Sequence, residues 1–167
     1  YDPEDDDFSN LPKTTSISFN PKFFYYPSEK TTFWFGLNGT YDDRIGGDIT
    51  KIESGENGIH QYTEENVSKR LSSQAVYETQ IDSVSSLTIK NSISFFDREL
   101  TIPDCTFDGK QTNTFTEINY QKSANKTDWI FGANLYTSDY HENDNATLQR
   151  DQRAITYGAF ANNIYDI

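Results

Sequence analysis

Apolar residues recur at every second position along most of this chain. In Thr32–Asp42, Phe33, Phe35, Leu37, Gly39 and Tyr41 fall on one side, and Trp34, Gly36, Asn38, Thr40 and Asp42 on the other. The preceding Thr15–Tyr26 places Ile17, Phe19, Phe23 and Tyr25 together. Leu71–Ile81 gathers Leu71, Ala75, Tyr77 and Ile81 opposite Arg70, Gln74, Glu78 and Gln80. Next, Leu87, Ile89, Ile93 and Phe95 alternate with Thr88, Lys90, Ser92 and Ser94. Thr112–Tyr120, Asp128–Tyr136 and Arg153–Tyr165 continue the pattern, with Trp129, Phe131, Ala133 and Leu135 facing away from Ile130, Gly132, Asn134 and Tyr136. A period of two is the signature of a strand with unlike faces. No stretch shows the three-to-four spacing of an amphipathic helix.

The connections alternate in length. Short polar turns are predicted near 27–30, 82–85 and 123–126, and long polar connections at 43–68, 97–110 and 138–151. Loops of that length count against a compact soluble domain. They are ordinary in an outer-membrane barrel, which has short turns at one rim and long loops at the other. Each predicted strand is about ten residues long, which suits a tilted bilayer crossing of roughly 9–11 residues. Tyr25, Tyr26, Phe33 and Trp34 flank the first short turn, and Tyr120 and Trp129 the third. Amphipathic rings favour the membrane–water boundary. The expectation is therefore all-β: an antiparallel up-and-down meander of about seven long strands, forming part of a transmembrane β-barrel. Strands in lipid must have every backbone group paired, so such a segment belongs to a closed wall. If the whole wall has about 22 strands, this is about a third of it. The competing expectation is a soluble β-sandwich, such as a carbohydrate-binding module, with its aromatics between two sheets.

Composition narrows the function. The 26 acids against 14 bases give a formal charge of −12. A chain so acidic lacks the excess of Lys and Arg that phosphate neutralisation needs, so nucleic acid is not expected as a partner. Aromatics at 15% argue against acidic disorder. No apolar run is long enough for a transmembrane helix. The chain begins at Tyr1 and holds no methionine, and residues 1–12 are acidic, unlike a secretory leader. The expectation is one segment, 1–167, of a longer protein.

Candidate chemistry is confined to the predicted loops. Asp2, Asp5 and Asp7, in the run Asp2-Pro3-Glu4-Asp5-Asp6-Asp7, offer the clustered oxygens that Ca²⁺ prefers. The run lacks the glycine and terminal Glu of an EF-hand loop, and the plainer reading is a solvated acidic loop. Asp139, His141, Glu142 and Asp144 could meet a metal or a metal chelate, as could His60 beside Glu53 and Glu56. Asp43 and Arg44 are further substrate-contact candidates on the first long connection. Arg70, Lys90, Arg98 and Arg153 fall on polar faces or strand ends, where they would form wall ion pairs or guide an anion. The lone Cys105 excludes an internal disulfide. There is no nucleophile–base arrangement and no Walker, CxxC or HExxH motif, so no enzyme is expected.

The runs Phe24-Tyr25-Tyr26-Pro27-Ser28-Glu29-Lys30-Thr31-Thr32 and Thr40-Tyr41-Asp42-Asp43-Arg44-Ile45-Gly46-Gly47-Asp48 resemble the barrel of TonB-dependent outer-membrane receptors. So do Phe115-Thr116-Glu117-Ile118-Asn119-Tyr120, Asp128-Trp129-Ile130-Phe131-Gly132-Ala133-Asn134-Leu135-Tyr136 and Ile155-Thr156-Tyr157-Gly158-Ala159-Phe160. The likeness spans most of residues 13–165. It implies a plugged barrel in the outer membrane of a Gram-negative bacterium. Such a barrel imports a scarce nutrient, for example a ferric siderophore or cobalamin, driven by the TonB energy-transducing complex acting on the plug. The partners implied are membrane lipid, that complex and a small metal-chelate ligand. No plug domain and no TonB box is recognisable here. A passive porin shares the same strand pattern.

Overall fold

The computed structural model describes residues 6–142 and 150–165. These form β1 (Lys13–Phe19), β2 (Lys22–Ser28), β3 (Thr31–Gly47), α1 (Ile49–Ser54), β4 (Thr63–Gln80), β5 (Ser85–Ile102), β6 (Cys105–Ala124), β7 (Thr127–Glu142) and β8 (Gln152–Tyr165). All eight strands lie in one antiparallel sheet that follows chain order from β3 to β8. Both β1 and β2 pair with β3, at different heights along it. Pro21 has no N–H to give the ladder and splits what is otherwise one strand. Its carbonyl still accepts from the Leu37 N–H at 3.1 Å. Eight segments thus occupy seven positions in the wall, the number the alternation predicts.

Directly opposed residues share a face, so the register shows which side chains gather. One row joins Phe33, Tyr77 and Ile89, then Ile118, Ala133 and Ala159. Another runs Gly39, Leu71, Phe95. Phe19, Phe23 and Ile17 join this apolar face from the edge. The opposite face carries Asn38, Ser72 and Ser94 in one row, and Lys90, Glu117 and Asn134 in another. The predicted faces are therefore the observed faces in β1 to β5 and β7, the strands for which the sequence assigned them.

None of the described residues covers the apolar face. Val76, on the polar side, is the one buried hydrophobic residue among the described residues, while Leu71, Phe95, Ile118 and Phe131 are each about half exposed. A sandwich needs a second sheet about 10 Å away to bury such rows. The described residues contain a single layer, which removes that competing fold.

Three expectations need correction. The strands are longer than about ten residues: β3 to β7 run 17, 18, 18, 20 and 16 residues. The supposed long connection at 97–110 is only the tight turn Pro103-Asp104, with Asp104 at a φ of 63°. Much of 43–68 and 138–142 is strand as well. In each case the regular apolar rows end and the remaining apolar residues, such as Val67 and Leu100, fall on different faces, so alternation fades while the backbone ladder continues. A short helix, α1, also sits where only loop was expected, six residues long and so too short to show a period.

Candidate functional site

The chemistry gathers at the rim away from the short turns. Its first cluster is built on Asp48, which is wholly buried. Asp48 N-caps α1 by accepting from the Lys51 N–H at 2.9 Å. Its other oxygen accepts from the backbone N–H groups of His60 at 2.8 Å and Gln61 at 3.0 Å. These donors, that of Lys51 foremost, hold the carboxyl below the ordinary aspartate range against the opposing effect of burial. Gly58 passes so close to the carboxylate that a Cβ there would overlap it. Residues 6–9 fasten the loop from the other side: the Ile49 N–H donates to the Asp7 carbonyl at 3.0 Å and the Thr50 hydroxyl to the Asp7 carboxylate at 2.9 Å. Phe8 meets the His60 ring edge-on at 5.3 Å and Tyr62 at 6.3 Å. The segment 48–62 is thus a folded cap.

The second cluster joins the end of β7 to the start of β8. Glu142 is almost completely buried, and Arg150 grips both of its oxygens, Nη2 to Oε1 at 2.6 Å and Nε to Oε2 at 2.9 Å. The Glu142 N–H donates to Asp151, whose carboxyl is held low chiefly by that bond and then by His141. His141 places Nε2 3.0 Å from Asp139 and Nδ1 3.2 Å from Asp151. With both ring nitrogens engaged by carboxylates, neither lone pair is directed at a separate ligand. On the polar side, Phe107, Gln111, Ser138, Tyr140 and Arg150 line an open cleft of about 800 Å³.

The candidate substrate contacts are distributed by strand alternation. Asp43 and His141 fall on the apolar-face side, Arg44 and Glu142 on the polar side. Arg44 pairs with Asp42 at 2.7 Å. β3 and β7 are four strand positions apart, or about 19 Å. Arg44 and Glu142 therefore line one interior surface at separate points. Asp2 and Asp5 lie outside the described residues, while Asp7 is engaged with Thr50. No grouping of three metal-ligating side chains occurs among the described residues. Arg70, Lys90 and Arg98 are on the polar face: Arg70 covers Phe96 at 4.8 Å, Lys90 pairs with Glu117 at 3.0 Å, and Arg98 donates to Asn66 at 3.1 Å. Arg153 is on the other face, opposite Asp139.

Sequence reasoning passed over Asp48 and Arg150. For Asp48 a signal exists, an Asp ahead of Ile-Thr-Lys-Ile with Gly55 closing the helix at a φ of 74°. For Arg150 there is none, because its partner is chosen by the fold.

Among solved structures the chain is similar to one described as the copper transporter OprC, with a TM-score of 0.72 at 11% sequence identity. The match covers 92% of this chain and 28% of that one. Identity that low speaks for the fold alone: an all-β antiparallel meander shaped as a segment of a larger wall. The chain spans less than a third of that transporter's length. No protein-family profile and no curated protein matches the sequence.

Proposed function

We propose that this chain is part of the wall of an outer-membrane transport barrel of the TonB-dependent type. The observation that carries the reading is a band about nine residues tall on β4 to β6 in which mainly Leu, Ile, Phe, Tyr and Thr side chains lie uncovered on one face, backed mainly by Asn, Ser, Thr, Gln and charged side chains on the other. It runs from Thr79 to Leu71 in β4, from Leu87 to Phe95 in β5 and from Tyr120 to Thr112 in β6. Hydrocarbon is the environment that makes such a face favourable, and an aqueous or plugged interior suits the polar one. The likeness in fold to a transporter supports the same reading.

Within it, the short turns Glu29-Lys30, Ile81–Val84 and Asn125-Lys126 face the periplasm and the clusters at Asp48 and Glu142 face outward. The cargo is a small metal-bearing nutrient, such as a ferric siderophore, cobalamin or a copper species, which meets the interior side of the rim where Arg44 and Glu142 lie. A plug elsewhere in the protein would couple passage to the TonB complex.

The test is uptake in cells carrying or lacking the full-length gene, with each labelled nutrient, before and after the proton-motive force is collapsed. Gene-dependent uptake that stops on collapse supports the proposal. Uptake that persists makes the protein a passive porin. Recovery of the full-length protein in the soluble fraction without detergent overturns the membrane reading itself.

A further inference from the structure

The apolar face ends abruptly on the rim side. Two residues beyond Leu71 and Phe95, the same face presents Lys69, Asp97 and Lys110 in one register row across β4, β5 and β6. The two lysines are two strand positions apart, about 10 Å. Lys110 reaches Asp97 only at 3.9 Å, with both side chains about half exposed. Lys69 has no ion pair among the described residues. Between this row and the apolar rows lies a groove of about 280 Å³ with Leu71, Phe95 and Thr112 along its apolar side. One residue pair further out the face turns acidic at Glu99 and Asp108.

We infer that this groove binds a phosphate-bearing lipid of the outer leaflet, its acyl chain along Leu71 and Phe95 and its phosphate between Lys69 and Lys110. The placement follows from two gradients that coincide. Greasy surface is available below the row on β4 to β6, and on the rim side of these three strands this face carries its positive charge in that row, at the height where a headgroup begins. An ammonium on a flexible stem reaches a phosphate as a point charge and keeps its methylenes on the apolar side. Asp97 between the lysines leaves the row with one net positive charge, which favours a singly anionic phosphate. The acidic pair beyond bounds the site and keeps the headgroup at this level. The inference rests on the membrane reading given above.

The full-length protein in detergent micelles is titrated with phosphatidylglycerol, with phosphatidylcholine and with inorganic phosphate, and retained lipid is counted by native mass spectrometry. Wild type is expected to retain phosphatidylglycerol at least fivefold better than phosphatidylcholine and to ignore inorganic phosphate. Lys69→Gln with Lys110→Gln should abolish the preference, whereas Lys90→Gln, on the interior face, should leave it intact. Equal retention of the two lipids, or a preference that survives the double variant, overturns the site while leaving the membrane reading standing. Protein that needs no detergent and retains no lipid removes both. A response to inorganic phosphate alone replaces the lipid with a free anion and also overturns the inference.

Discussion

The ring of Phe160 lies across Gly132, its direct cross-strand partner on the polar face. A Cβ at position 132 would run into that ring and into the side-chain oxygen of Asn119. The same device appears on the apolar face, where Phe19 covers its partner Gly39. An aromatic laid over a glycine fills the missing side-chain volume and fixes the register of the pair.

Gly132→Ala should therefore destabilise the barrel by about 1–3 kcal/mol, the usual cost of forcing volume into an occupied site. Gly36→Ala should be close to neutral, because its nearest neighbour would sit in ordinary contact at 3.5 Å. Urea unfolding of the full-length protein in detergent compares the two. In a Phe160→Ala background the Gly132→Ala penalty should shrink, and a penalty that stays constant removes the covering role assigned to Phe160.

Ile118 sits in mid-band on the face assigned to lipid. Ile118→Arg places a guanidinium in hydrocarbon and should cost about 2–4 kcal/mol, with reduced assembly in the outer membrane. Ser92 is on the opposite face, beside an open polar hollow of about 390 Å³. Ser92→Arg should assemble nearly as wild type. Reversal of the two outcomes, read by the amount of folded protein in outer-membrane fractions, would exchange the inner and outer faces and overturn the orientation.

The faces were legible because burial against lipid on one side and polar surface on the other writes a period of two directly into Phe33, Phe35 and Leu37 or Leu87, Ile89 and Ile93. What lay beyond the apolar band was not. From Lys69 back to Thr63 and from Asp97 on to Ile102 the regular apolar row stops, and the few apolar residues left, Val67 on one face and Leu100 and Ile102 on the other, mark no consistent side, so the strands continue on backbone hydrogen bonds. The site suffered for the same reason. Asp43 and Arg44, like His141 and Glu142, were named as candidates from the predicted loops, and because each two are neighbours in a strand their side chains go to opposite faces. Arg150 and Glu142 are eight residues apart with no periodic relation, and only the closing of β7 on β8 brings them together.

Asp48 gives the cap a pH dependence. Its carboxyl is lowered on folding, so its stabilising effect is complete above the unfolded value, about 3.9, and fades as the pH falls from there through the folded one. Pepsin should accordingly begin to nick residues 48–62 below about pH 4, ahead of the strands. At neutral pH, thermolysin should cut the same segment at least tenfold faster in Asp48→Ala, which leaves the N–H groups of Lys51, His60 and Gln61 without their acceptor. Asp48→Asn should be intermediate, since one carbonyl oxygen cannot serve all three. Equal cutting of the three proteins would show that the cap is held by residues 6–9 alone.

Cys105 reports which rim faces outward. It follows the turn Pro103-Asp104, is solvent-exposed, and lies at the same end of the sheet as the Asp48 and Glu142 clusters. In intact cells a membrane-impermeant maleimide should label it at once. Cysteines introduced by Ser83→Cys and Asn125→Cys, in the short turns at the other end, should react only after the outer membrane is permeabilised. The contrast follows from the antiparallel ladder, which puts residues 103–104 and residues 83 and 125 at opposite ends of β5 and β6. Labelling of all three from outside would mean that no membrane separates the two rims. Labelling in the inverse order would turn the barrel over, moving the lysine row at Lys69 and Lys110 to the periplasmic leaflet and the interior cleft beside Glu142 away from incoming cargo.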